Sequence, residues 1–372
     1  MEVKKEWLIL NGQQRGVALI SILLVLTVLA TLAIYAVEDQ NLAIRRSQNL
    51  SQSEQGYQVN VSGEQWVLKV LEKDMVDDLV LGSQGKVATD YLDENWRKLG
   101  PALEVGETGV TLLMTIEDMQ GRFNLNSLIQ GKPKPLPPTN GNSSADGGQV
   151  QQVFWYQIFQ RLLQRLALNP ELVDPLIDWI DQNEEEVGTT GAEDLYYTGL
   201  EQPYRAANRG LASVGELGNI KDFTPEIIEK LSPWVTALPI GNQNATITIN
   251  VNTAPSIVLA SFAANPNLDI AVLEPLLVQR MQQPFQSVND FIQQFNAIVP
   301  AGLTPGITNM LDVRSIYFAG HSCAESGRVK FSMTSLLQKQ IQGQNVKVIQ
   351  RERFFGCPAF APEEPEEPEQ SS

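Results

Sequence analysis

Residues 15–37 read RGVALISILLVLTVLATLAIYAV, and this stretch decides what the rest of the chain must be. Arg15 and Gly16 stand in front of 21 residues without a charge, and Glu38 and Asp39 end the run. At about 1.5 Å of rise per helical residue, the run covers the roughly 30 Å hydrocarbon layer of a bilayer. The remaining chain therefore works beside a membrane. Lys4, Lys5 and Arg15 precede the run and acids follow it, so the positive-inside rule leaves the bulk outside the cytoplasm. A secretory leader carries its small-residue cleavage site after the apolar region, whereas here Gly16 comes before it. Removing the first sixteen residues would keep the apolar helix on the mature chain.

Beyond this anchor more than 300 residues remain, enough for two domains with cores of their own. The net charge is −16, from 43 acidic and 27 basic residues. Nucleic acid and anionic membrane surfaces are disfavoured as partners, because phosphate contacts need clustered Lys and Arg. An acidic surplus suits a divalent cation instead. Cys323 and Cys357 are the two cysteines. Outside the cytoplasm they read as one disulfide, and two free buried thiols are the alternative.

After the span, residues 40–81 keep a helical rhythm that Gly56 and Gly63 weaken. Residues 110–116, VTLLMTI, read as a strand, and 121–128, GRFNLNSL, as a turn and a second strand with one apolar and one amide face. Residues 130–149 are rich in Pro, Gly, Asn and Ser and read as a flexible loop. From 153 onward Phe154, Ile158, Leu162 and Leu166 fall at four-residue steps, Pro170 starts another helix, and 175–181 continue as helix. Two short helices are predicted over 210–238, with Ser213 and Glu216 in capping-box spacing and Thr224-Pro225 opening the second. A strand over 246–252 and helices over 256–262, 273–281 and 288–295 follow. Three antiparallel strands are expected at 315–319, 328–336 and 346–355, with turns over 320–327 and 342–345. The Pro- and Glu-rich end reads as a solvated tail. No internal repeat is apparent beyond a general likeness among the helical pieces.

The richest polar constellation is DWID, 178–181, then Asn183 and three glutamates, then GAEDLYY, 191–197. Asp178 and Asp181 are three apart and share a helix face, and the glycines let a loop bring Glu193 or Asp194 toward it. So many carboxylates repel unless a cation offsets them, and Ca²⁺ takes six to eight oxygens. The same pattern also fits a solvated acidic loop with Asp178 capping backbone amides. His321, the sole histidine, sits in GHSCA, where Ala324 stands in place of the last glycine of a nucleophile elbow. No hydrolase, phosphate-loop or dinucleotide pattern is present, and the chain is read as a non-enzyme. Trp155, Tyr156 and Phe159 read as core. Residues 245–300 carry one cation, Arg280, against Asp269, Glu274 and Asp290, a net of −2, which argues against phosphate binding there.

Arg15-Gly16 before the apolar run resembles the leader of type IV prepilins and pseudopilins. DWID, GAEDLYY, YRAANRGLASVGEL and INVNTAP in this order, with GRFNLNSL before them, are similar to the K pseudopilin family of type II secretion, from Arg15 to Cys357. The resemblance implies cleavage by prepilin peptidase between Gly16 and Val17 and methylation of Val17. Ser21 stands where most pseudopilins have Glu, a departure expected of the K class alone. The implied fold is α+β: a pilin-like N-terminal transmembrane helix, an antiparallel β head and a large inserted all-helical domain. The organisation is a leader over 1–16, a helix over 17–81 with its span at 17–37, a head over 82–130 and 301–357, a linker over 131–149, a helical insert over 150–300 and an acidic tail over 358–372. The family implies Ca²⁺ held by Asp178, Asp181, Glu193 and Asp194, with Asn183 where another Asp is usual. Its implied partners are the I and J minor pseudopilins, with exoprotein cargo or the outer-membrane secretin beyond them. The place implied is the bacterial inner membrane, single-pass, with the bulk in the periplasm, at the tip of the pseudopilus. A membrane-anchored DNA-uptake protein and a minor type IV pilus subunit are the other readings.

Overall fold

The computed structural model describes residues 6–100, 102–106, 109–130, 147–239, 247–326, 329–340 and 343–357. The leader's first five residues, most of the predicted linker, Thr246 and the acidic tail lie outside the described residues. Helix α1, Glu6–Ser83, is continuous. Every residue over 17–50 is exposed, and only beyond that does the helix gain a packed face. That face is Asn60, Glu64, Val67, Leu71 and Met75, a three- and four-residue spacing that aligns them along one side. Gly56 and Gly63 do not break the helix. A Cβ at Gly56 would stand 2.6 Å from the Phe331 ring, and one at Gly63 3.1 Å from Leu112 and Met114. The glycines let a sheet approach the helix axis, and that packing offsets their helix-propensity cost of about 1 kcal/mol each.

The sheet has the order β1 (Leu103–Val105), β2 (Val110–Asp118), β7 (Tyr317–Ser326), β8 (Val329–Gln340), β9 (Asn345–Phe355) and is antiparallel throughout. Its early strands are β1, Leu103–Val105, and β2, Val110–Asp118. A 3-10 turn at Met119–Gly121 follows, and then β3, Phe123–Asn124. The strand expected over GRFNLNSL thus shrinks to two residues, because residues 125–130 form a 3-10 helix. Its amide face is buried rather than wet, with Asn124 and Asn126 at 1% and 2% exposure.

Helices fill the chain between β2 and β7. They are α2, Gly147–Arg165; α3, Val173–Ile180; α4, Asp194–Thr198; and α5, Pro225–Leu231. Thr224 caps α5 through Ile227 N, as its spacing predicts. The predicted capping box does not form: the Ser213 side chain makes no cap bond, and Glu216 accepts instead from Ala212 N, one residue before the cap, at 3.1 Å. After α5 come β4, Val235–Thr236; β5, Ile249–Asn250; α6, Ser256–Ser261; α7, Glu274–Gln282; α8, Val288–Ile298; and β6, Leu311–Asp312. The strand expected over 246–252 is only the two residues of β5.

A repeat emerges that residue-by-residue reading overlooks. Phe123-Asn-Leu-Asn126 and Ile249-Asn-Val-Asn252 each open a unit, and β3 pairs in parallel with β4 as β5 does with β6. Asn126 donates to Leu211 O at 2.8 Å and accepts from Leu211 N at 2.7 Å. Asn252 does the same with Phe285, at 3.1 and 2.9 Å. Leu211 and Phe285 begin matching strings, LASVGEL and FQSVNDF, and each unit then runs through Thr-Pro to its closing strand. The likeness hides because spacing differs: 85 residues separate the second Asn from its partner in the first unit and 33 in the second. One apolar cluster joins both units, with Phe123, Trp155 and Phe159 in the first and Phe262, Phe291 and Phe295 in the second.

The chain returns to the sheet as β7, Tyr317–Ser326; β8, Val329–Gln340; and β9, Asn345–Phe355. These strands run beyond their predicted limits, and residues 320–326, read as a turn, are strand. Gly320 is there for another reason: its missing Cβ would lie 3.0 Å from Val67 of α1. His321 accordingly sits in mid-strand, with Nδ1 3.0 Å from Thr334 Oγ1. A disulfide joins Cys323 and Cys357 across a Cα–Cα distance of 5.7 Å. It ties the chain beyond the edge strand β9 back to β7.

Candidate functional site

The apolar half of α1 is the first candidate surface. Among the described residues one helix is long and apolar enough to cross a membrane, and its apolar stretch is uncovered by them. Val17 and Ser21 lie in its first turns, and Ser21 donates to Val17 O at 3.0 Å. The hydroxyl is thereby turned onto its own helix, leaving a neutral position where an acid would project charge. Gly16 is helical and continuous with both. Higher up, where the sheet covers one side of α1, Trp66, Val76 and Val80 remain about half exposed on the rest. Trp66 precedes buried Val67 by one residue, which points it well off the sheet-facing stripe.

The acidic loop is the second. Asp178 on α3 is fully buried and accepts from Val187 N at 2.9 Å and Ala192 N at 2.7 Å. Its carboxylate folds the loop back on the helix, and Gly191 leaves no Cβ in the way. The amide-capping role that the sequence left open is therefore real. Asp181 closes α3, is 3% exposed, and accepts from Asn183 Nδ2 at 2.8 Å. Glu193, 4% exposed, is the N-cap position of α4. Asp194 begins α4, accepts from Ala206 N at 2.9 Å, and lies 3.5 Å from Arg205. Asp178 and Asp181 are thus buried on and just after α3 and Glu193 is buried at the start of α4, while Asn183 and Asp194 stand nearer solvent; the converging acid groups among the described residues, Asp74-Asp78-Asp90 and Cys323-Glu325-Cys357, lie elsewhere. The donors are all oxygens, which suits a hard cation. Beneath them Trp179 and Tyr197 pack edge to face at 5.1 Å.

Polar residues that no motif flagged prove central to how α1 and the sheet meet. Glu64, 3% exposed, takes Arg351 at 2.6 and 2.8 Å and the Ser335 hydroxyl at 2.6 Å. Burial works to raise its pKa, but the bonds from Arg351 and Ser335 prevail and hold it below the usual range. Lys339 of β8, 6% exposed, joins Asp74 of α1 and Asp90 at 2.7 and 2.5 Å. The only trace of this in the sequence is a charged residue inside an apolar-alternating strand.

Family profiles described as "Type II secretion system (T2SS), protein K" match residues 121–240 and 249–314. These two ranges nearly coincide with the two structural units. A type II secretion system protein K from Aeromonas hydrophila is 29% identical over 352 residues, covering 92% of this chain and 98% of that protein. The Pseudomonas aeruginosa protein of that name is 32% identical over 348 residues, covering 92% and 94%. The chain belongs to the type II secretion system protein K family. Protein K is a structural, non-enzymatic component of secretion, so the family has no active site to seek. The fold agrees: a chain in the crystal structure of the GspK-GspI-GspJ complex from enterotoxigenic Escherichia coli superposes with a TM-score of 0.62 at 21% identity, covering 83% of this chain and 99% of that one. Protein K membership favours the secretion reading over DNA uptake and over a type IV pilus.

Proposed function

We propose that this protein K is a minor pseudopilin at the tip of the type II secretion pseudopilus. It is cut by prepilin peptidase between Gly16 and Val17, methylated on Val17, and held in the inner membrane with its bulk in the periplasm. There it joins the I and J minor pseudopilins, starts filament assembly and supports export of folded proteins across the outer membrane, where cargo or the secretin meets the tip. The observation that carries this reading is α1 itself, an exposed apolar rod continuous with a folded head. Such a rod has nothing of its own to cover it and suits packing among similar helices, first in lipid and then in a fibre core. Neutral Ser21, bonded to Val17 O, supports a terminal position, because no subunit above needs an acid there.

The test is co-purification of the tagged full chain with the I and J subunits from the same cells. Wild type is expected to carry both, with an intact mass that starts at N-methylated Val17. Trp66→Glu puts a charge on the exposed side of α1 and is expected to lose most of the co-purified partner at unchanged melting temperature. Wild-type chain that retains Met1, or that carries neither partner, overturns the reading.

For the acidic loop we propose Ca²⁺, held chiefly by Asp181 and Glu193 with Asp194 and the Asn183 carbonyl at the rim, and with Asp178 setting the loop. The ion would draw these buried carboxylates together, neutralise them and cross-link α3 to α4. EGTA is expected to lower the melting temperature of the detergent-solubilised chain by several degrees, with CaCl₂ restoring it; an unchanged melt speaks against the ion.

A further inference from the structure

After α1 ends, a strap over residues 84–96 carries the chain across toward the sheet. Asp90, 3% exposed, is its fulcrum, and all its polar groups are engaged. Its N–H donates to Val313 O at 3.0 Å, and its carbonyl accepts from Asn250 Nδ2 at 3.0 Å. One carboxylate oxygen accepts from Ser315 N at 2.7 Å and the other from Lys339 Nζ at 2.5 Å. Asn250 opens the second helical unit and Ser315 lies just after its closing strand. The side chains of the same two residues, with that of Thr253, also donate to Asp118 at 2.6–3.0 Å. Among the described residues, Asn124, the counterpart of Asn250 in the first unit, bonds within that unit, to Leu238 and Asn126 N. The second unit is thus the one moored to the α1–sheet junction, and Asp90 is the mooring point.

The charge around that point is uneven. Carboxylate oxygens of Asp74, Asp78 and Asp90 lie within 4.8 Å of one another. Asp74 and Asp78 come from α1, which also brings Asp77; the strap brings Asp90, Tyr91, Asp93 and Glu94, with Lys98 just beyond. The β6–β7 link brings Arg314, β2 brings Asp118, and β8 brings Lys339. Seven carboxylates thus face three cations, and Lys98 is paired at the surface with Asp93 at 2.6 Å.

We propose that the carboxylates gathered around Lys339 form a proton-operated latch between α1 and the strap, tight in acid and loosened as pH rises, which sets how firmly the second helical unit is moored. Burial, then the charges of Asp74 and Asp90, push Asp78 up to about 7 against Lys339 and Arg314. The same causes push Glu94 up to about 8. Burial raises Asp118 to about 6 despite its hydroxyl donors. All three hold protons in the folded chain that they release when unfolded. Their stabilisation is full below about pH 4, where the unfolded carboxyls are also protonated, and is lost as pH climbs through the folded values to about 8. This is the reverse of acid denaturation. The latch belongs to the chain alone and does not depend on the proposed assembly role.

Hydrogen exchange of the full chain in detergent micelles with EDTA tests it, with rates at pH 5.5 and 8.0 corrected for intrinsic exchange. Peptides over 84–96 and 248–254 are expected to lose about tenfold or more in protection at the higher pH, one decade per pH unit of coupled titration being the ceiling. Peptides of α2 should hold steady. Asp78→Asn is expected to flatten the response, Glu229→Gln on the exposed side of α5 to leave it, and Glu94→Gln provides a second neutralising variant. Equal corrected protection of wild type at both pH values overturns the latch, and so does a full response surviving in both Asp78→Asn and Glu94→Gln.

Discussion

Lys339→Met is expected to cost about 3–5 kcal/mol of stability at neutral pH, the usual penalty for removing one partner from a buried ion pair. The ammonium is the cation shared by Asp74 and Asp90, and it also sits 4.6 Å above the Phe318 ring. Methionine fills much of the same volume, so the loss reports charge rather than a cavity. Burial lowers the tendency of Lys339 to hold its proton, but the Asp90 and Asp74 charges outweigh this and raise its pKa, so the lysine stays charged over the working range. Without it the carboxylates can recover only by taking protons. The deficit should therefore be largest near pH 8 and smallest near pH 5, read as melting temperature against pH in micelles. A deficit that grows on acidification would show that the acids are not what Lys339 neutralises.

Asn126→Ala is expected to cost about 2–4 kcal/mol, because a buried amide is removed and its backbone partners are left unsatisfied. The partners are Leu211 N, Leu211 O and Leu238 O, and the site is 2% exposed. If the two helical units are built alike, Asn252→Ala should fall in the same range, since it strands Phe285 N and O at 1% exposure. Asn→Asp at either position should be nearly as harmful, because it keeps the acceptor, loses the donor and buries a charge. Chemical melts monitored by near-ultraviolet circular dichroism decide this. A neutral Asn252→Ala beside a costly Asn126→Ala would mean the shared geometry carries weight in one unit only.

Where local pattern matched local physics, the elements were legible. Helix α8 shows its Ser287 cap and apolar spacing, and the edge strand β9 starts and ends within a residue of its predicted limits. Glycine misled in two elements, at Gly56 and Gly63 in the helix and at Gly320 in β7. In both places it makes room for another element rather than breaking its own. The Asn-x-Asn segments were read as alternating strand because the alternation is real. What spacing does not reveal is that those amides bond to backbone 85 and 33 residues away and take over the work of strand neighbours. For the acidic loop, the sequence named the residues but left their tasks open. Distances now show Asp178 holding Val187 N and Ala192 N, and Asp181 holding Asn183 N at 3.2 Å.

The amino-acid order by itself determined an apolar rod long enough to cross a membrane, an acidic surplus and two cysteines suited to bonding. Each of these follows from hydrophobicity, charge or residue type, properties that a chain carries before it folds. Tertiary structure alone decided the duplication of the helical unit, the close seating of α1 on the sheet, and the meeting of Asp74, Asp78, Asp90 and Lys339. Those depend on which distant segments share a volume, and burial turns ordinary carboxylates into proton-binding ones only once that volume is closed.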